Sequence, residues 1–265
     1  MTHALHRAAR QAPPTYDALR AAIRASPVVS PDETSWKVGG HLQWLWAFAT
    51  PSEILYAIQA GRGFPQAAAI LAADYEGVLV RDGWAPYRHF ADAAHQTCLA
   101  HLLRRSRELA SDHPRAAWRA RITDVLQRAL AVRDRRNAGA ITPHGAAIAR
   151  GRLVNQLADL VNGSRAHTGV PTRCGASGRR VAGPFGFLFD PSVDATNWRA
   201  EQALRPAVAN RKVSDNRSAR GAATQQTLAS VVHTARLRRV DTRDVFVDLL
   251  RARQPIISPA LTVPQ

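Results

Sequence analysis

The strongest constraint on the fold lies in residues 28–83. Here β-forming segments are separated by turns too short for anything but neighbouring strands. Val28–Val38 mixes β-branched, aromatic and short polar residues and ends at Gly39-Gly40. His41–Ala49 alternates enough to be a second strand, Pro51-Ser52 marks the next turn, and Ile54–Ile58 is a third strand. Strands joined so closely pair as an antiparallel meander. A helix is predicted over about Pro65–Ala73, with Pro65 in the first turn, where its missing N–H is not needed. Gly77–Gly83 is then a short apolar run ending in Asp82-Gly83, as expected of a buried strand whose last residue leaves the sheet.

The order β-β-β-α-β is that of the first half of an RNase-H-like fold. The predicted class is therefore α/β: a mixed five-stranded sheet flanked by helices, with a helical insertion before the last catalytic helix. Residues 1–27 read as helical or loose, with a break at Pro13-Pro14. From about His101 to Val161 the period becomes helical, carried by Trp118, Ile122, Val125, Leu126 and Leu130, then by Leu153, Leu157, Leu160 and Val161. Residues 162–186 are rich in Gly, Pro, Ser and Arg and read as an exposed basic loop. A helix from near Asp194 carries Glu201, another runs over about Ala222–Arg238, and the stretch after Gln254 has no clear period. The expected boundaries are an N-terminal segment 1–27, a catalytic domain 28–252 with its insertion over about 102–186, and a tail 253–265.

Charge narrows the partners. The chain has 36 Lys plus Arg against 20 Asp plus Glu, a formal net charge of +16. A protein so basic is matched by a polyanion, and basic side chains gain by displacing the counterions condensed on nucleic-acid phosphates. With only two lysines, Lys37 and Lys212, the choice of Arg also reflects codon bias, but bias does not explain the excess of bases over acids. Two cysteines, Cys98 and Cys174, make no disulfide framework. No apolar run approaches the roughly 18 residues of a membrane span, and the N-terminus has no apolar secretory core. A soluble, cytoplasmic, nucleoid-associated protein is expected.

Three acids then stand out by joint placement. Asp32 is in the first strand, Asp82 at the end of the fourth, and Glu201 on a late helix. Each has an ordinary reading alone: Pro31-Asp32 as a turn pair, Asp82-Gly83 as a turn, Glu201 as a solvated helical residue. Together they suit two-metal phosphoryl transfer, in which converging carboxylates hold hard divalent cations. Arg205, four residues after Glu201, suits either an ion pair with it or a DNA phosphate. Trp84 and Tyr87 suit either core packing or stacking on a flipped base. Cys98 and His101 form a Cys-x-x-His pair, with too few further ligands to predict zinc.

Four blocks resemble the IS66 family of insertion-sequence transposases. They are Asp32-Glu33-Thr34-Ser35-Trp36, Asp82-Gly83-Trp84-Ala85-Pro86-Tyr87, Cys98-Leu99-Ala100-His101-Leu102-Leu103-Arg104, and Asn197 to Pro206 followed by Arg211-Lys212. They occur in the family's order and span about residues 28–252. The resemblance implies a DDE transposase with an RNase-H-like core, whose catalytic and metal-binding carboxylates are Asp32, Asp82 and Glu201. It implies Mg²⁺ as the cofactor, with Mn²⁺ as a substitute, and DNA (element ends and target) as the partner. Arg205, Arg211 and Lys212 are then expected to contact DNA. Cys98, His101 and Asn197 are expected as structural or active-site neighbours. Transposases of this kind act as homo-oligomers on paired ends.

Family members carry a longer, Cys-rich region before the first Asp, whereas 31 residues precede Asp32 here. The chain is therefore read as truncated, with recognition of the element ends expected from a separate DNA-binding protein or accessory factor. The competing readings are an RNase-H-like nuclease without strand transfer, a non-catalytic DNA-binding remnant, and a basic RNA-binding module. The last is disfavoured by the lack of interleaved aromatics.

Overall fold

The computed structural model describes residues 2–112, 117–165, 185–211 and 215–262. Two helices open the chain, α1 (Thr2–Gln11) and α2 (Pro13–Ala25). Pro13-Pro14 therefore starts a helix as well as ending one, since the first helical positions need no N–H donor. The meander follows as β1 (Val28–Val38), β2 (His41–Ala49) and β3 (Ile54–Gln59), then α3 (Phe64–Leu71) and β4 (Val78–Arg81). A 3-10 turn at Ala85–His89 leads to β5 (Ala94–Thr97). The helices α4 (Leu99–Asp112), α5 (Ala117–Asn137), α6 (Pro143–Arg165) and α7 (Gly186–Phe189) come next. The chain ends in α8 (Trp198–Asn210), α9 (Ala219–Leu237), α10 (Thr242–Arg251) and α11 (Pro259–Thr262).

The five strands form one mixed sheet in the order β3-β2-β1-β4-β5. β1 and β2 pair antiparallel from Ser30↔Ala49 to Val38↔His41, so Gly39 and Gly40 alone make the turn. Both have positive φ, 58° and 78°, which a two-residue hairpin matching the strand twist requires and which glycine adopts freely. β4 pairs parallel with β1 at Val28↔Val78 and Val29↔Leu79, the crossover being made through α3.

The chain divides into two compact units. The first comprises residues 1–79, 84–93 and 197–265. Its sheet is buried on both faces, as the unbroken burial of Leu45–Ala49 requires. On one face Trp46, Phe48, Leu55 and Ala57 pack with Leu19 and Ile23 of α2, Ile70 and Leu71 of α3, Val231 of α9 and Leu249 of α10. On the other, Trp36, Leu45, Ala47 and Tyr56 pack with Ala200, Ala203 and Leu204 of α8.

The outer edge of β3 is closed by side chains. The N–H groups of Ile58, Tyr56 and Ile54 donate to Gln226 Oε1 (2.8 Å), Ser230 Oγ (2.8 Å) and Thr234 Oγ1 (3.1 Å) of α9. The repeats match: four helical residues rise about 6 Å, and two strand residues about 6.6 Å. The last segment, aperiodic in sequence, is held by long-range bonds. Ile256 N–H donates to the Gln11 carbonyl at 2.8 Å, and Thr15 Oγ1 donates to the Ile256 carbonyl at 2.8 Å.

The second unit comprises residues 80–83 and 94–196. It holds the last residues of β4, β5 beside them, and α4–α7. Val125, Leu126 and Ala129 of α5 and Leu153 of α6 are buried, on the faces the helical period marked. Gln96 is fully buried in β5 and accepts from Phe187 N–H at 3.1 Å, while Arg136 of α5 donates to the Phe187 carbonyl at 2.9 Å, so α7 is pinned at both its N–H and C=O. Of the expected basic loop, residues 166–184, with Cys174, lie outside the described residues. No helix among the described residues is long and apolar enough to cross a membrane.

Candidate active site

Asp32 and Glu33 are adjacent on β1, and alternation sends them to opposite faces of the sheet. Asp32 is half-buried and sits opposite Ala47, on the face that α8 covers. Its carboxylate accepts from the N–H of Glu33 at 2.9 Å.

Glu33 sits opposite Trp46 on the other face, with a side chain only 1% exposed. A carboxylate so buried needs charged or donor partners. It has both: Arg62 Nε at 2.7 Å and Tyr87 OH at 2.5 Å. The Arg62 guanidinium lies between the Trp44 ring (4.8 Å to its centroid) and the Trp84 ring (4.0 Å). Trp84 Nε1 in turn donates to the Arg62 carbonyl at 3.1 Å. Trp84 and Tyr87 are thus committed to this core network, which answers the choice left by the sequence. Glu33 is the residue that sequence reasoning missed. It looked like a neighbour of Asp32, yet strand alternation alone would have sent it into the opposite core.

The third acid reaches β1 through its helix. Asn197 is the N-cap of α8, where the Glu201 N–H donates to its carbonyl at 3.1 Å. Its side chain is buried, and its Nδ2 donates to the Pro31 carbonyl, one residue before Asp32, at 2.9 Å. At the far end of α8, Arg211 Nη1 donates to the Thr34 and Ser35 hydroxyls of β1. The helix carrying Glu201 is therefore bracketed on the strand carrying Asp32. Glu201 is half-buried, and Arg205 is exposed. Lys212 lies outside the described residues.

In the second unit, Asp82 follows the last residue of β4 and is half-buried. Its position is fixed by its neighbour. The buried Arg81 donates from Nη1 to the Asp82 carbonyl (2.8 Å) and from Nε to His95 Nδ1 (3.4 Å). The Arg81 carbonyl accepts from Cys98 N–H at 2.8 Å. Cys98 is a buried cysteine just before α4, its carbonyl accepting from Leu102 N–H at 3.1 Å, and His101 is half-buried one turn along.

A mixed sheet of this order, flanked by helices and with acids at the first strand, after the fourth and on a late helix, is consistent with an RNase-H-like catalytic domain. The family model described as "Transposase IS66 family" matches residues 1–225, and the chain belongs to that family. Membership implies a transposase, a DNA-processing enzyme whose substrate is DNA. No curated protein and no solved structure matches the chain.

Proposed function

We propose that the chain performs the phosphoryl-transfer steps of insertion-sequence transposition, nicking the 3′ ends of the element and joining them to target DNA. Its domain reading is an RNase-H-like catalytic domain over residues 28–252 with a helical insertion at about 102–186. Asp32, Asp82 and Glu201 would hold two Mg²⁺ ions, Mn²⁺ serving in their stead. The all-oxygen donor set suits a hard cation. The metal, when bound, would activate the attacking hydroxyl and offset charge on the leaving oxygen.

The observation that carries the reading is the bond from Asn197 to Pro31, which seats the first turn of the Glu201 helix beside Asp32. Asn197 acts as the positioning residue. Arg205 and Lys212, and Arg211 beyond its bonds to β1, would neutralise phosphates next to the scissile bond. Assembly as a homo-oligomer on paired ends, with end recognition aided by a separate DNA-binding protein, completes the proposal.

The test is an incubation of the full chain with a supercoiled plasmid carrying the element's terminal sequences. Nicked and strand-joined products that depend on Mg²⁺ or Mn²⁺, and that vanish in Asp32→Asn, Asp82→Asn and Glu201→Gln, are expected. Nicks without joined products would make the chain a nuclease. Products that survive the substitutions would sink the assignment of the carboxylates. No products from the folded wild type would sink the catalytic reading.

A further inference from the structure

Tyr87, fully buried, cannot stack on a DNA base, and the half-buried Trp84 is covered on one face by Arg62. Trp198 can stack on one. Of the tryptophans whose side chains are described, Trp36 and Trp46 are buried and Trp44 and Trp84 half-buried, whereas Trp198 is 45% exposed. This exposure belongs to a firmly seated turn: Asn197 before it is 1% exposed and Ala200 after it 0%. An indole turned outward from an anchored first turn, three residues before Glu201, offers its exposed ring to a ligand.

Its surroundings indicate the chemistry. The Arg199 guanidinium lies over the Trp198 ring, 4.7 Å from its centroid. That contact orients the ring and keeps a cation beside it. Helical spacing puts Gln202 and Arg205 on the same outward stripe, four and seven residues on, and both are exposed. Arg205 is about 10 Å along the axis from Trp198. Glu201 borders the stripe, within 60° of Trp198 and 40° of Arg205 at 100° per residue. The buried side of the helix is Ala200, Ala203 and Leu204. An aromatic face, an amide and a cation in line are what a nucleic-acid strand meets as base, polar edge and phosphate. Two copies of this stripe laid face to face would set Arg199 and Arg205 against the same cations, whereas a polyanion matches them.

We propose that Trp198 is the stacking platform for an unpaired nucleobase of the DNA strand being processed, with Arg205 on the phosphate further along. The proposal rests on the DNA transposase reading. It adds that the enzyme binds frayed or flipped DNA ends in preference to closed duplex. Every base presents a π face, so this grip is indifferent to sequence.

The test is fluorescence anisotropy of the full chain with two labelled probes: a forked duplex with an unpaired oligo-dT arm, and a fully paired duplex of the same length. Wild type should prefer the fork. Trp198→Ala should weaken fork binding about tenfold, the loss of one stacked base, and leave duplex binding unchanged. Trp198→Phe should retain most of the preference. Abasic sites in the arm should bring wild type down to the level of Trp198→Ala. Equal loss on both probes, no loss on the fork, or a change in oligomeric mass in Trp198→Ala would overturn the proposal. Failure of wild type to bind either probe would overturn the DNA reading itself.

Discussion

Asn197 Nδ2 donates to the carbonyl oxygen of Pro31 across 2.9 Å of fully buried space, and that bond joins two segments 166 residues apart in sequence. It holds the helix that carries Glu201 against the strand that carries Asp32. Asp at position 197 keeps the shape but can only accept. Asn197→Asp and Asn197→Ala should therefore both destabilise the fold, by about 1–3 kcal/mol for a buried group left unpaired. Both should also depress plasmid nicking beyond what the lost stability explains. Chemical denaturation alongside the nicking assay checks this, and full activity in a folded Asn197→Asp would refute the positioning role.

The Glu33–Arg62 pair is buried on its acidic side and about a third exposed on its basic side. Arg62→Leu takes the Arg62 cation away from a carboxylate that is only 1% exposed, and should cost about 3 kcal/mol. Glu33→Gln, which still accepts from Tyr87, should cost less. The double variant Glu33→Gln/Arg62→Leu should cost less than the sum of the two, because it removes the buried charge together with its cation. Urea melts of the four proteins give the coupling, and strict additivity would mean the pair does not interact.

At the β3 edge, Ser230→Ala should leave the Tyr56 N–H without its acceptor, and Thr234→Val should remove both bonds between Thr234 Oγ1 and Ile54. Each loss is worth about 1–3 kcal/mol. Amide hydrogen exchange at Tyr56 and Ile54 should accelerate in the corresponding variant. Unchanged exchange would show that these amides are protected by something other than α9.

Acid should weaken the first unit in two windows. Burial and the nearby charge of Arg236 lower the pKa of His233 below the ordinary 6.5, so its neutral form is favoured in the fold. Stability tied to it is whole above pH 6.5 and declines as pH falls through the lowered value. Burial alone would raise the pKa of Glu53, but hydrogen bonds from Thr50, Arg238 and Ser52 and the charge of Arg238 outweigh it and lower the pKa below 4.5. That contribution is whole above pH 4.5 and lost below it. The stability gap between wild type and Glu53→Gln, from thermal melts across pH, should be constant at neutral pH and close in strong acid. A gap that widens on acidification would reverse the assignment.

The meander was legible because its strands are long, its turns are written in Gly39-Gly40 and Pro51-Ser52, and its apolar residues dominate. β5 was not located, because Ala94-His95-Gln96-Thr97 has neither alternation nor bulk and its buried member is a glutamine. The predicted helix over about 65–73 came within two residues of α3 at both ends. Asp32, Asp82 and Glu201 lie where the sequence pattern put them, in the first strand, after the fourth and on a late helix. The partners of Asn197, Glu33 and Arg211 could not be named in advance, since each lies on a distant element and no local pattern encodes its choice.

The helix laid along β3 also limits how copies of this protein can meet. An open strand invites another chain to add itself and extend the sheet, the common route to unplanned polymerisation. Here the amides such a guest would need are already engaged by Gln226, Ser230 and Thr234. A newcomer at that margin would first have to peel α9 off a strand it has every reason to keep. Whatever assembly gathers on DNA does so with this border of the sheet closed to backbone recruitment.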